Sequence, residues 1–390
     1  MLWNTPPDWL TPVIERLEWK TNVLLAYDGT EQRVALRQTP RRSIEFNFLI
    51  IDAKARRTFE SQLYNNGSQS WDLPIWTDAT PSTAAISNGD TVIYVPLGTI
   101  YRDFHEGGQA VLLSGTQSQI VTISTVGSTQ LNLSAPVIGN WSAETAVIPV
   151  RPAHLDLSQT VTRFTGDSVY GTARFLMDDV SESTVVGMAT NYRDMPVFTQ
   201  VPNWTQDPST QYERKMQVVD FNGAIYYDDE SNLPEFKQTH TWALDGINAI
   251  SSIRGLLYSL RGRLTAFWMP SFMPDVVLKA NVGASALQMD VSFGGFTDYY
   301  NEGRNRRDIY IELHNGTILC RRITASSVVD ADTEQLTIDS ALGMPITPDD
   351  VTRISLMFLG RLEADAVELA WHWGDYAEAT AAVRSINNDL

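Results

Sequence analysis

The 390-residue chain is 43% hydrophobic and 19% charged, which excludes a disordered polymer, and it is long enough for two or more cores. With 46 acidic against 29 basic residues its formal net charge is −17, the reverse of the basic face that a nucleic-acid binder carries. A single cysteine, Cys320, excludes an intrachain disulfide and suits assembly in a reducing cytosol; no apolar run reaches the ~18–20 residues of a membrane span, and MLWNTPPDWL lacks the basic and apolar regions of a signal peptide.

In chain order, residues 1–18 are rich in Pro and Trp and predict an extended arm. WKTNVLLAY from Trp19 predicts a strand, Asp28-Gly29-Thr30 a turn, and EQRVALRQ a second strand. Ser43–Ile51 predicts a third, because Ile44, Phe46 and Phe48 alternate. A helix is predicted over Ala53–Tyr64, capped by Asp52, with Ala55, Phe59 and Leu63 forming one apolar stripe. Residues 80–150 predict a small β-barrel from TVIYV (91–95), AVLLS (110–114), QIVTIS (119–124), QLNL (130–133) and TAVIPV (145–150), cut by glycine turns. VTRFTGDSV and GTARFLMDD then predict a hairpin.

The order repeats. KQTHTWALD predicts a strand, and Asp245 opens a helix over Ile247–Leu260 whose Ile250, Ile253, Leu257 and Leu260 share a face. DIYIEL, TILCRRI and QLTI predict a second small barrel, and VELAWHW, Gly374-Asp375 and TAAVRSI close the copy as strands. Paired landmarks support a tandem duplication: Pro7-Asp8-Trp9 with Pro202-Asn203-Trp204, Ile14-Glu15-Arg16 with Tyr212-Glu213-Arg214, Pro74 with Pro270, Leu131-Asn132-Leu133 with Leu336-Thr337-Ile338, and Gly166-Asp167 with Gly374-Asp375. The expected division is a first module at 1–79 plus 151–185 with an inserted barrel at 80–150. A second module follows at 186–275 plus 361–390, with its barrel at 276–360.

Sequence motifs for chemistry are missing. His105, His154, His240, His314 and His372 fall in no metal-ligand spacing, and no Walker loop, G-x-S-x-G or G-x-G-x-x-G is present. Cys320 has Arg321 and Arg322 beside it but sits in a predicted strand, as a structural cysteine does. The acidic runs Asp178-Asp179, Asp228-Asp229-Glu230 and Asp349-Asp350 read as solvated turns, the second as a hairpin tip. A paired-carboxylate sugar hydrolase is the enzymatic alternative. The expectation is therefore no enzyme, no metal and no cofactor.

Arginines cluster at Arg33, Arg37, Arg41 and Arg42, at Arg254, Arg261 and Arg263, and at Arg304, Arg306 and Arg307. In an acidic chain they are candidates for ion pairs at subunit contacts. The stretch LEWKTNVLLAYDGTEQRVALRQTPRRSIEFNFLIIDAKARRTFESQLY resembles the N-terminal module of distal tail proteins of long-tailed phages and gene transfer agents. Trp19, Thr21, Gly29, Glu31, Gln32, Arg33, Arg41 and Arg42 carry the match. That family's closing Arg-x-Gly-Arg-x-x-x-Phe element is replaced by NNGSQSW in the first copy and stands in the second as Arg261, Gly262, Arg263 and Phe267.

The resemblance implies tail-tube-like β-sandwich or barrel modules, each with one flanking helix. It implies a homo-oligomeric ring that continues the tail tube and meets the tube protein, the baseplate hub and fibres, with DNA only passing through. Two modules per chain favour a trimer with a pseudo-sixfold ring over a hexamer. The protein would be assembled in the host cytoplasm and reside in the virion tail tip without membrane insertion. The expected contact residues are Trp19, Thr21, Gly29, Glu31, Arg33, Arg41, Arg42, Arg254, Arg261, Gly262, Arg263 and Phe267. A carbohydrate-binding or sugar-cleaving tail protein is the alternative; a cell-surface adhesin is disfavoured by the N-terminus.

Overall fold

A computed structural model of the chain describes residues 1–26, 30–97, 102–115, 117–179, 190–214, 216–221, 223–229, 235–299 and 306–386. The expectations placed on Gly29, Glu230 and Arg304, and the boundary between residues 185 and 186, lie outside them. The protein is mainly β. Its first half contains β1 (Val13–Leu25), β2 (Glu31–Ile50), α1 (Ala53–Asn66), β3 (Trp71–Pro74), β4 (Thr80–Pro81), β5 (Val92–Tyr94), β6 (Gln109–Ser114), β7 (Gln117–Val126), β8 (Gln130–Leu133), β9 (Ala146–Leu155), β10 (Val161–Arg163) and β11 (Val169–Met177). The second half contains β12 (Asn191–Tyr192), β13 (Met195–Pro196), β14 (Ser209–Glu213), β15 (Met216–Phe221), β16 (Ala224–Asp229), β17 (Glu235–Asp245), α2 (Ile247–Leu260), β18 (Phe267–Pro270), β19 (Gln288–Ser292), α3 (Phe296–Tyr299), β20 (Asp308–Leu313), β21 (Ile318–Asp330), β22 (Thr333–Ile338), β23 (Val351–Leu362), β24 (Ala366–Trp373) and β25 (Tyr376–Ser385).

The same antiparallel pairings occur twice. In the first half β2 lies between β1 and β11, β11 also takes β10 and β9, and β9 takes β3 and β6. From β6 the ladder continues through β7 and β8 to β5. In the second half β17 lies between β14 and β25, β25 also takes β24 and β23, and β23 takes β18 and β20. From β20 the ladder continues through β21 and β22 to β19. Registers agree as well: Ile50 faces Val169 as Leu244 faces Ala377, and Pro74 faces Val150 as Pro270 faces Met357. Even the bulge at Ile123/Thr125 recurs at Ile323/Ala325.

This register supports the landmark at Asp8 and Asn203, whose amides donate to Asn47 O and Thr241 O at 2.9 and 2.7 Å. It corrects another. Ile14 faces Glu45 on β2; the counterpart of Glu45 on β17 is Thr239, and Thr239 faces Ser209. Ile14-Glu15-Arg16 therefore corresponds to Ser209-Thr210-Gln211 and not to Tyr212-Glu213-Arg214. A shift of three residues exchanges the two faces of a strand, so a chance Glu-Arg match cannot hold against the hydrogen-bonded register.

Four further expectations change. The arm is not free: β1 begins at Val13, and Trp3 is buried with its ring edge-on to Phe48, Phe59, Trp71 and Phe175 at 4.9–5.9 Å. The two predicted strands before α1 are one, because the register slips between Glu18↔Arg41 and Lys20↔Arg37, and Pro40 sits in that bulge where no ladder amide is needed. On α1, Asp52 does cap, accepting from Ala55 N at 2.7 Å, but of the expected stripe Phe59 alone is fully buried. On α2 all four expected positions are buried, while Asp245 ends β17 and Gly246 (φ +81°) makes the turn into the helix.

One hydrophobic core runs through both modules, from Trp3, Phe46 and Trp71 to Leu244, Ile250, Leu257 and Trp371. Each inserted barrel has its own core, around Ile93, Leu112 and Leu131 and around Met289, Ile311 and Leu336. β9 and β23 are continuous from barrel to module, so neither insertion hangs on a linker.

Candidate functional site

The two modules meet where β1 of the first pairs antiparallel with β24 of the second, from Val13↔Trp371 to Glu18↔Ala366. Most of the expected contact residues gather on this joint, inside one chain.

At its centre lies a buried charge network. Glu15 on β1 accepts from Arg42 Nε at 2.8 Å, from Arg254 Nη2 at 2.6 Å and from the Trp371 indole at 3.0 Å. The Arg254 guanidinium also lies 4.9 Å over the Trp371 ring and reaches Asp78 at 3.4 Å. Arg42 continues to Asp103, which is held in turn by Arg151. Glu15, Arg42, Asp78, Asp103, Arg151 and Arg254 are each at most 5% exposed. Buried ions persist only when paired and hydrogen-bonded. Burial alone would raise the Glu15 carboxyl; the charges of Arg254 and Arg42 outweigh it and hold it below its ordinary range. Asp103 is likewise burdened by burial and is held well below the carboxylate range by Arg42 and Arg151. Asp78 goes the other way: burial prevails over Arg254 and raises it.

A second cluster forms around Asp365 in the β23–β24 turn. Its carboxylate accepts from Thr21 N at 2.7 Å, from Arg263 N at 3.0 Å and from Arg263 Nη2 at 3.2 Å, while its carbonyl accepts from Trp19 N at 2.9 Å. Arg263 Nη2 also donates to Thr21 O at 2.8 Å. Gly262 (φ +66°) passes so close that a Cβ there would stand 2.7 Å from the Asp365 carboxylate. Burial pushes Asp365 up, but the amides of Arg263 and Thr21 outweigh it and lower it. Trp19 packs edge-on to Tyr258 of α2 at 5.7 Å. The two half-motifs, separate in sequence, thus share one carboxylate.

A third contact joins Glu31 on β2 to Arg361 on β23 through two bonds of 2.7 Å, with both side chains under 10% exposed. Arg261 donates to Gln38 at 3.2 Å. Arg33 is half-buried beside Glu31, and Arg41 is exposed.

The arginines were expected between subunits. Arg42 and Arg254 are instead sealed within the chain, and Phe267 and Trp19 are core residues, so none of these four can meet a neighbouring chain as drawn. The reason is that both modules stand in one chain, so the contact between them is internal. Sequence reading missed Glu15, Asp78, Asp103, Arg151 and Asp365; Glu15 gave one signal, an acid on the apolar side of a strand with Val13 and Leu17.

Asp178, Asp179 and Asp350 have structural partners. Asp179 holds Arg151, Asp178 bonds Ser70 at 2.6 Å and meets His154, and Asp350 bonds the Thr347 amide at 2.8 Å. Asp228 and Asp229 lie at the base of the β15–β16 hairpin, opposite Gln217 and Met216, and not at its tip. Cys320 is buried, and burial pushes its thiol up to about 12. Among the described residues no group of three His, Cys, Asp or Glu side chains could hold a metal ion. None of their helices is long and apolar enough to cross a membrane. No protein-family model matches the chain, and no curated protein matches it.

Proposed function

We propose that the chain is a structural ring component of the tail tip of a long-tailed phage or gene transfer agent, continuing the tail tube and joining it to the baseplate hub and fibres. The observation that carries this reading is the joint: two modules with one strand order, docked head to tail through β1 and β24, with both halves of the tail-protein motif meeting at Asp365. A head-to-tail contact generates rings or filaments when repeated. Three chains would supply six modules, matching a sixfold tube to a threefold tip. The net charge of −17 suits a channel that passes DNA, since an acidic wall repels phosphate. The burial of Arg42 and Arg254 keeps those cations from passing DNA.

Cryo-electron microscopy of purified particles tests the reading. Three copies in one layer at the end of the tail tube are expected. Six copies with twelve modules would remove the proposed stoichiometry, and particles without the chain would remove the function. Cleavage of host surface polysaccharide by the purified chain would favour the enzymatic alternative.

A further inference from the structure

The internal joint uses one edge from each module and, among the described residues, leaves the equivalent two edges without a partner strand. β14 is the counterpart of β1, yet among the described residues it pairs with β17 alone. β10 is the counterpart of β24 and pairs with β11 alone. Exposed edge strands are templates for pairing. We infer that β14 of one copy of this chain pairs antiparallel with β10 of a second copy, while the β15–β16 hairpin of the first seats in a groove beside β9 of the second. This rests on the proposed ring reading only for its closure at three chains.

The register follows from the internal one. The joint places Ile14 opposite Ala370 and Glu15 opposite Leu369. Ile14 and Glu15 correspond to Ser209 and Thr210. Leu369 faces Ala379 on β25 as Val161 faces Gly171 on β11, so Ala370 and Leu369 correspond to Thr162 and Val161. Thr210 of one copy therefore faces Val161 of the next, and Ser209 faces Thr162.

The hairpin supplies the second, independent argument. The distal halves of β1 and β2 form a hairpin that reaches the second module and delivers Glu31 to Arg361. β15–β16 is its counterpart, with Met216↔Asp229 in the place of Thr21↔Ala35. Ile225 stands where Glu31 does, and Tyr227 where Arg33 does. On the receiving side, β9 and β11 place His154 where Arg361 stands and Leu176 where Arg384 stands. A groove lies there in the first module, where Leu155, Leu157 and Leu176 stand among Glu18, Arg41, Ser43, His154, Asp156 and Arg174. Among the described residues no side chain from the other module enters it, whereas the equivalent place in the second module holds Glu31.

The chemistry differs at matching positions: Ile225 replaces Glu31 and Leu176 replaces Arg384, while Asp156 stands where Glu363 does. The internal contact sets Glu31 against Arg361, Glu363 and Arg384 surroundings, all charged. The outward contact offers Ile225 and Tyr227, 54% and 57% exposed, to Leu157 and Leu176, 104% and 46% exposed. Ile225 and Tyr227 match the leucines of this groove in position and in apolar character, and among the described residues neither side is covered. The occupant is thus a second copy of this chain.

The full-length chain tests this. Thr210→Cys combined with Val161→Cys should form intermolecular disulfides on mild oxidation, ending in a closed three-chain species on a denaturing gel, because opposed strand residues lie within disulfide reach. Cys320 is buried and leaves the background clean. Ile225→Lys alone and Leu176→Glu alone should each abolish self-association by light scattering while circular dichroism stays native, since both sites are exposed. The double variant I225K/L176E should regain it. A wild-type chain that stays monomeric at tens of micromolar, or one that associates without the 161–210 cross-link, overturns the inference. A chain that cross-links in register but is missing from purified particles keeps the joint and removes the tail-tip reading. Particles that contain it without the cross-link remove the joint alone.

Discussion

Glu15 Oε2 and Arg254 Nη2 stand 2.6 Å apart across 239 residues of sequence, both 2% exposed, and join the first strand of one module to the helix of the other. The pair is the electrostatic centre of the joint, because Glu15 also receives Arg42 and Trp371. Removing one member leaves uncompensated buried charge, which costs ~3–5 kcal/mol. Arg254→Ala should lower the urea midpoint accordingly. Arg254→Met with Glu15→Gln should recover part of the loss, since neutralising both ends removes the stranded ion. Equal loss in the single and double variants would show that packing, not charge, sets the cost.

The acid limb of stability should report Glu15 and Asp103. Both carboxyls are lowered in the folded protein, so their stabilisation is complete above the ordinary carboxylate range of ~4 and drains as pH falls through it toward their folded values. The gap between wild type and Glu15→Gln should be widest at pH 7 and narrow by pH 3. Asp78 is raised by burial, so its ionisation opposes folding once pH exceeds the ordinary carboxylate range. Asp78→Asn should therefore cost less at pH 7 than Asp103→Asn. Urea midpoints measured across this range decide it.

Gly262→Ala should weaken the Asp365 cluster. The position has φ +66°, and its Cβ would stand 2.7 Å from the carboxylate that caps Thr21 and Arg263. Strain at such a φ together with a displaced acceptor should cost ~1–3 kcal/mol. Asp365→Asn should cost less, because one amide oxygen can still accept. Thermal unfolding followed by tryptophan fluorescence checks both, since Trp19 sits on this cluster.

Cys320 should resist thiol reagents in the native state. Its thiol is buried and pushed up to about 12, so thiolate is scarce at pH 8. Ellman's reagent should release colour only after unfolding in guanidinium. A fast native reaction would mean that the cluster of Val197, Trp268, Tyr310 and Met357 around Cys320 opens readily.

Trp3→Ala should destabilise by ~3–5 kcal/mol, as the loss of a large aromatic from a packed core does. Its counterpart is Phe198, which meets Trp242 and Phe267 at 5.2 and 5.8 Å as Trp3 meets Phe48 and Trp71. Deleting residues 1–8 should therefore give an unstable chain, measurable as early thermal unfolding, where a dangling arm would leave stability unchanged.

The mainly β class, the helix over Ile247–Leu260 and the repeated landmarks were legible in the chain itself, because strand alternation, helix stripes and turn residues act over a few neighbours. The joint was not legible. Glu15, Asp78, Asp103, Arg151 and Arg254 come from five distant segments, and no local pattern tells a paired buried ion from a solvated one. The three-residue slip at β14 has the same origin: similarity of letters carries no knowledge of which face is buried, and only cross-strand hydrogen bonds fix it. Tertiary structure alone decided that Arg42 and Arg254 face inward, because desolvation is tolerated only where opposite charges from other segments converge.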